Sequence, residues 1–177
     1  MKEMVGKVQV GIVMGSDSDL PVMQEAAAVL AELEVGYEMQ ILSAHRVPVE
    51  TATYAREAAQ RGLQVIIAGA GLAAHLPGVI AAHTPLPVIG VPLQAGALGG
   101  VDALYAIVQM PPGVPVATVG IGAARNAGIL AAQILAVADE DLRRKLIDFK
   151  KNLASKVKGK NARLQETRGK PKRGEKE

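Results

Sequence analysis

Cysteine and tryptophan are both absent from this 177-residue chain, and three tyrosines and one phenylalanine make up its whole aromatic content. Without cysteine there is no disulfide framework, no thiolate nucleophile and no cysteine-ligated metal site, and the composition suits a reducing compartment. Tyr37, Tyr54, Tyr105 and Phe149 do not form the stacking pattern that single-stranded nucleic acids favour. Long apolar runs are missing too: the longest are broken by Gly, Pro or His, and Met1 to Lys7 lacks the apolar core of a signal peptide. The chain is therefore expected to be soluble and cytoplasmic, with no membrane partner. Several chemical signatures are also lacking. There is no Gly-x-x-x-x-Gly-Lys-[Ser/Thr] loop, and Gly69-Ala70-Gly71 has no third glycine at dinucleotide-binding spacing. His45, His75 and His83 do not show the spacing of a zinc site, and no Gly-x-Ser-x-Gly elbow accompanies a serine.

Hydrophobic residues make up 49% of the chain, enough for one self-sufficient core. The formal charge of +3 conceals two segments of opposite sign. Residues 1 to 140 carry six basic and twelve acidic side chains, whereas residues 141 to 177 carry fourteen basic and five acidic ones. From Lys156 the chain reads KVKGKNARLQETRGKPKRGEKE, with few large apolar side chains to offset ordering entropy. The expected organisation is a single α/β domain over 1–156, closing with a polar helix from Glu140 to about Lys156, and a basic tail over 157–177 that is disordered or a frayed helix. A solvated end is the plainer reading of that tail; an RNA-binding role would predict salt-sensitive association that is lost on its deletion.

Short β-rich runs alternate with segments of helical period. Val8 to Met14, Tyr37 to Leu42, Gln64 to Ala68, Pro87 to Gly90 and Val116 to Val119 read as strands. Leu20 to Leu33, Val49 to Gln60, Ala73 to Ala82, Val101 to Val108 and Ala123 to Val137 read as helices. Runs such as VQVGIVM and QVIIAGA are apolar at consecutive positions, as strands buried on both faces should be. Right-handed crossovers then give a three-layer αβα sandwich around a central parallel sheet of about five strands, flavodoxin-like. In such a sheet every loop following a strand lies on one edge, where ligands bind. Those loops are Gly15 to Asp19, Ser43 to Pro48, Gly69 to Gly78, Val91 to Gly100 and Gly120 to Asn126.

Three of these loops carry candidate chemistry. Gly15-Ser16-Asp17-Ser18-Asp19 combines a glycine turn, hydroxyls and a helix start, which together can hold a phosphate or carboxylate. Its plain alternative is helix capping by Ser18 or Asp19. The aspartates would repel an anion, so one of them, Asp19 before Asp17, is better suited to ribose hydroxyls. In Ser43-Ala44-His45-Arg46 the guanidinium can fork onto a phosphate, while an imidazole, with an intrinsic pKa of ~6.5, can carry a proton near neutrality. In Gly69 to Gly78 small residues allow a planar ligand close to the backbone and His75 can close over it; tight helix packing is the alternative use of those glycines. His83, before Thr84-Pro85, reads as a surface or cap residue.

Taken together, these three strings resemble the class I family of N5-carboxyaminoimidazole ribonucleotide mutases. The resemblance continues through Pro87-Val88-Ile89-Gly90-Val91-Pro92, Gly100-Val101-Asp102-Ala103-Leu104, Ile107-Val108-Gln109-Met110-Pro111 and the helix from Asn126 to Leu135, covering roughly residues 8 to 150. It implies an isomerase of purine biosynthesis that interconverts the N5-carboxy and 4-carboxy aminoimidazole ribonucleotides by decarboxylation and recarboxylation, with no metal and no organic cofactor. By that resemblance Ser16, Ser18, Ser43 and Arg46 hold the phosphate, Asp19 holds the ribose and His45 carries the proton. His75, Ala70 and Gly71 then border the imidazole and the mobile carboxylate. The family assembles as homo-octamers, which the resemblance extends to this chain. Two positions depart from the pattern: Val47 replaces the usual threonine, and Leu72 stands where glycine is common, where it would narrow the pocket or restrict the backbone. The alternatives are a carboxylase that adds free CO2 to aminoimidazole ribonucleotide, and a non-catalytic flavodoxin-like module that binds FMN or another nucleotide.

Overall fold

A computed structural model describes residues 7–168; residues 1–6, read above as lacking a signal peptide, and residues 169–177 of the basic tail lie outside the described residues. Five strands form the sheet: β1 Val8–Met14, β2 Gly36–Ile41, β3 Val65–Ala70, β4 Val88–Pro92 and β5 Ala117–Thr118. All pairings are parallel and the order is β2-β1-β3-β4-β5. This is the flavodoxin-like order, with the strand sequence reversing beside β1. The helices are α1 Leu20–Glu32, α2 Pro48–Glu57, α3 Leu76–His83, α4 Val101–Val108, α5 Ala124–Leu135 and α6 Glu140–Arg168.

Period-two alternation divides the core between the two sheet faces. Val10, Ile12 and Met14 of β1 join Val65 and Ile67 of β3, Ile89 and Val91 of β4 and the inner faces of α1, α5 and α6. Val13, Ile66, Ala68 and Val88 point the other way, against Tyr54 and Ala55 of α2, Ile80 of α3 and Ala103 and Ile107 of α4. A fully buried Ile or Val of this kind stabilises the fold by about 1.5–3 kcal/mol. The central strands read as unbroken apolar runs because both their faces are covered.

Two elements depart from expectation. Helix α3 begins at Leu76, not at Ala73, because Ala73 to His75 remain in the loop and Pro77 stands in the first turn, where its missing N–H costs nothing. The final helix continues to Arg168 and does not stop near Lys156, so the described part of the tail follows the helical one of its two readings. Low apolar content bears on burial, but helix formation here is a matter of local propensity. The stretch is rich in Lys, Arg and Leu, has no proline before Pro171, and carries ion pairs Arg143–Glu140, Arg144–Asp141 and Lys151–Asp148 at i, i+3 spacing. Leu142, Leu146 and Phe149 anchor its first half in the core, and from Lys150 to Gln165 it is exposed. Among the described residues no helix is long and apolar enough to cross a membrane.

Candidate active site

The loops after β1, β2 and β3 meet at the carboxyl edge of the sheet and enclose a cleft of about 520 Å³. Ser16, Ser18, Asp19, Ser43, His45, Arg46, Ala70, Gly71 and His75 all line it. The sheet order explains the meeting: β2 and β3 both flank β1, so their following loops converge on the loop of the central strand. The fourth loop contributes only Ala95, and the fifth contributes none of the lining. Ala95 escaped the reading of the sequence, since an alanine in a glycine-rich loop carries no chemical signal of its own.

Local hydrogen bonding sets the first loop. Ser16 caps a 3-10 turn over Asp17–Asp19: its Oγ accepts from the amide of Ser18 at 3.3 Å, and Asp19 Oδ2 accepts from the amide of Ser16 at 3.0 Å. The pair is a reciprocal capping box. Capping therefore does occur, performed by Ser16 and Asp19 together, and the same residues face the cleft. The Ser18 hydroxyl donates to Ser16 Oγ at 3.0 Å, so both hydroxyls lie side by side at the start of α1. Burial pushes the Asp19 carboxyl above its ordinary value, against the opposing pull of the Ser16 and Gly15 amides and the Arg46 charge.

Arg46 joins the first two loops. Its Nη2 donates to the Gly15 carbonyl at 2.6 Å and its Nε donates to Ser43 Oγ at 3.2 Å. A guanidinium has five N–H donors, so this anchoring leaves capacity to bind an anion. Its charge also offsets the repulsion that Asp17 and Asp19 would exert on a phosphate held nearby.

The second and third loops touch through their histidines. His45 Nε2 and His75 Nδ1 lie 2.8 Å apart, with the rings edge to face at 78°. At that distance one nitrogen donates and the other accepts, so the contact holds one proton between two rings and ties their tautomers together. A substrate taking that proton would replace one ring as the partner. Both side chains are exposed, which leaves room for such an exchange. His83 sits exposed at the end of α3, away from the cleft lining. Among the described residues no group of three or more His, Cys, Asp or Glu side chains is placed to hold a metal ion.

Leu72, the departure at the third loop, has φ +54°, so the chain keeps there the left-handed conformation that glycine would adopt most easily. Its side chain lines the cleft.

The chain resembles known proteins over most of its length. The family described as AIR carboxylase matches residues 9–156. An N5-carboxyaminoimidazole ribonucleotide mutase from Mycobacterium tuberculosis is 58% identical over 162 residues, covering 92% of this chain and 93% of its own. A phosphoribosylaminoimidazole carboxylase from Schizosaccharomyces pombe is 56% identical over 165 residues, which are 93% of this chain but 30% of that longer protein. Among solved structures, Treponema denticola PurE superposes with a TM-score of 0.79 at 26% identity, covering 88% of this chain and 98% of that one.

Proposed function

The chain belongs to the AIR carboxylase family, and from that premise we propose that it is an isomerase of purine biosynthesis, interconverting N5-carboxyaminoimidazole ribonucleotide and 4-carboxy-5-aminoimidazole ribonucleotide. The observation that carries this reading is the placing of one shared-proton histidine pair, His45 and His75, in the same cleft as the anion-binding set of Arg46, Ser43, Ser16 and Ser18. A mutase of this kind needs both parts, a grip on a ribonucleotide phosphate and one group that gives and takes back a proton.

In the proposed reaction the carbamate C–N bond breaks, CO2 departs, and the exocyclic nitrogen receives a proton from His45. The electron-rich ring then attacks the same CO2 through C4, forming the C–C bond. His45 recovers a proton from C4, which restores aromaticity and returns the enzyme to its starting state. Atoms and charges balance without a co-reactant. Ser16, Ser18, Ser43 and Arg46 hold the phosphate, Asp19 accepts hydrogen bonds from the ribose, and His75 with Ala70 and Gly71 borders the reacting end. Holding both fragments in one cleft makes recombination effectively intramolecular.

The test is bicarbonate-independent interconversion, followed by near-ultraviolet absorbance, in the wild type and His45→Asn. The wild type should turn over, and the variant should lose roughly 10²–10⁴-fold in kcat, the usual worth of a positioned acid and base, while still binding nucleotide. The match to the yeast carboxylase favours a second reading, in which free CO2 is added to aminoimidazole ribonucleotide in the same cleft. Turnover only when CO2 and aminoimidazole ribonucleotide are supplied would select it. No turnover from either carboxyl source would leave a nucleotide-binding module.

We further propose a cytoplasmic homo-octamer. The exposed apolar side chains Leu98, Val101, Tyr105 and Val108 on and before α4 support contacts between copies. Light scattering on the full chain would give a mass near that of the monomer if this is wrong.

A further inference from the structure

Leu72 combines three properties that rarely coincide. Its backbone is left-handed, a conformation costly for a side chain branched beyond Cβ. Its side chain is 55% exposed at the mouth of the cleft, so burial in the core does not compensate that cost. And it reaches across to the neighbouring loop: a Cβ built on Gly96 would lie 2.9 Å from Leu72 Cδ2. Gly96, itself at φ +64°, thus leaves the notch in which the leucine rests. The two loops touch again behind it, where a Cβ on Gly71 would lie 3.1 Å from the Ala95 Cβ. A glycine at position 72 would adopt the same backbone without strain, so the reason for a leucine lies in its side chain.

We propose that Leu72 is a specificity-determining residue: seated against Gly96, it closes the gap between the third and fourth loops over the reacting end of the cleft and keeps released CO2 from escaping. The inference rests on the mutase reading above and deepens it. Released CO2 is neutral and has no hydrogen to donate, so polar side chains have little hold on it, and shape must retain it. Leu72, Ala70, Ala73 and Ala95 supply apolar walls there. The residue takes no part in proton transfer; it decides whether the carboxylate is transferred or lost.

The experiment follows a ¹³C label. N5-carboxyaminoimidazole ribonucleotide labelled in its carboxylate is converted in unlabelled bicarbonate buffer by wild type, Leu72→Ala and Leu72→Gly, with a protein-free blank for spontaneous loss, and the label is measured in the 4-carboxy product. Wild type should retain most of the label, and both variants should raise the lost fraction on the order of tenfold, a modest share of what exact placement of reacting fragments can supply. Thermal unfolding should rank Leu72→Gly above Leu72→Ala, because only glycine relieves the left-handed backbone. Equal retention in all three proteins would overturn the inference. So would a leak in Leu72→Gly alone, which would assign the effect to backbone freedom. Complete loss of label by an active wild type would instead refute the intramolecular reading on which the inference stands.

Discussion

The seam between α1 and α5 and the cleft at the sheet edge are built from the same small residues, and they use them in opposite ways. At the seam Ala26, Ala27, Ala124, Ala127, Gly128, Ala131 and Ala132 bring two helices together until no space remains. A Cβ on Gly128 would lie 2.5 Å from Val29 Cγ1 and 2.9 Å from the Ala26 carbonyl oxygen. At the cleft Gly15, Ala44, Ala70, Gly71, Ala73 and Ala95 stand around a volume that no side chain fills. The difference lies in what faces each residue. On a helix a short side chain meets another helix face, and in a loop above a strand end it meets open space. Small residues thus create contact in one region and a binding cavity in the other.

Enlarging a residue in each region should therefore fail differently. Gly128→Val should lower unfolding stability by about 3 kcal/mol, since the obstructing atoms include backbone that cannot swing aside. Denaturant midpoints would show it, while kcat per folded molecule stays near wild type. A midpoint unchanged by that substitution would mean that the seam is loose. Ala73→Leu is the opposite case. Ala73 is exposed and lines the cleft, so stability should stay within about 0.5 kcal/mol of wild type. Its kcat/KM should fall by about tenfold or more, equivalent to ~1.4 kcal/mol of lost transition-state binding. A stability loss in place of an activity loss would erase the distinction between the two regions.

How far this distinction could be read from sequence depends on the kind of signal each part leaves. VQVGIVM and QVIIAGA announce strands covered on both faces, and the loops after them could be placed on one edge from handedness alone. That reasoning located Ser16, His45, Arg46 and His75 on the edge where the cleft lies, although their roles rest on the proposed reaction. The contact between His45 and His75 spans 30 positions and depends on the sheet order bringing two loops together. No local pattern contains it. The left-handed backbone at Leu72 was invisible for a related reason: leucine predicts the right-handed region, and the loop overrides that preference. The state of the chain beyond Lys156 stayed open between disorder and a frayed helix because its composition is poor in apolar residues, and Lys and Arg favour a helix without burial.

Asp19 separates stability from binding at the cleft more finely. Burial raises its folded-state pKa above 3.8. The folded protein therefore takes up this proton more readily than the unfolded chain, and the stability the group contributes is full below 3.8 and lost as pH rises through the folded value. The ribose contact proposed for Asp19 needs the ionised form and runs the other way: affinity should drop as pH falls through that same raised value. In Asp19→Asn both dependences should vanish. Titrating nucleotide affinity and denaturant midpoints of the two proteins across this acidic window would check the sign of each.

The smallest expected effect sets the two left-handed non-glycine residues against each other. Glu34, at φ +60°, lies at the opposite edge of the sheet from Leu72, in the turn after α1, where glycine commonly ends a helix. It is exposed enough to make an ion pair with Lys145 of α6 at 2.5 Å, and the lysine ammonium holds its carboxyl below the ordinary value. The stability that pair contributes is present above the ordinary carboxyl range and lost as pH falls through the lowered one. A surface ion pair is weak and screened by salt, so relief of the backbone should outweigh its loss. Glu34→Gly should raise the Tm slightly, and Glu34→Gln, which keeps the strain and removes the charge, should lower it slightly. Neither change should alter label retention, because this turn is remote from the cleft. Leu72→Gly should raise the Tm in the same way and lose the label. The same backbone strain is then incidental to catalysis in one turn and tied to function in the other, and a glycine at each position tells them apart.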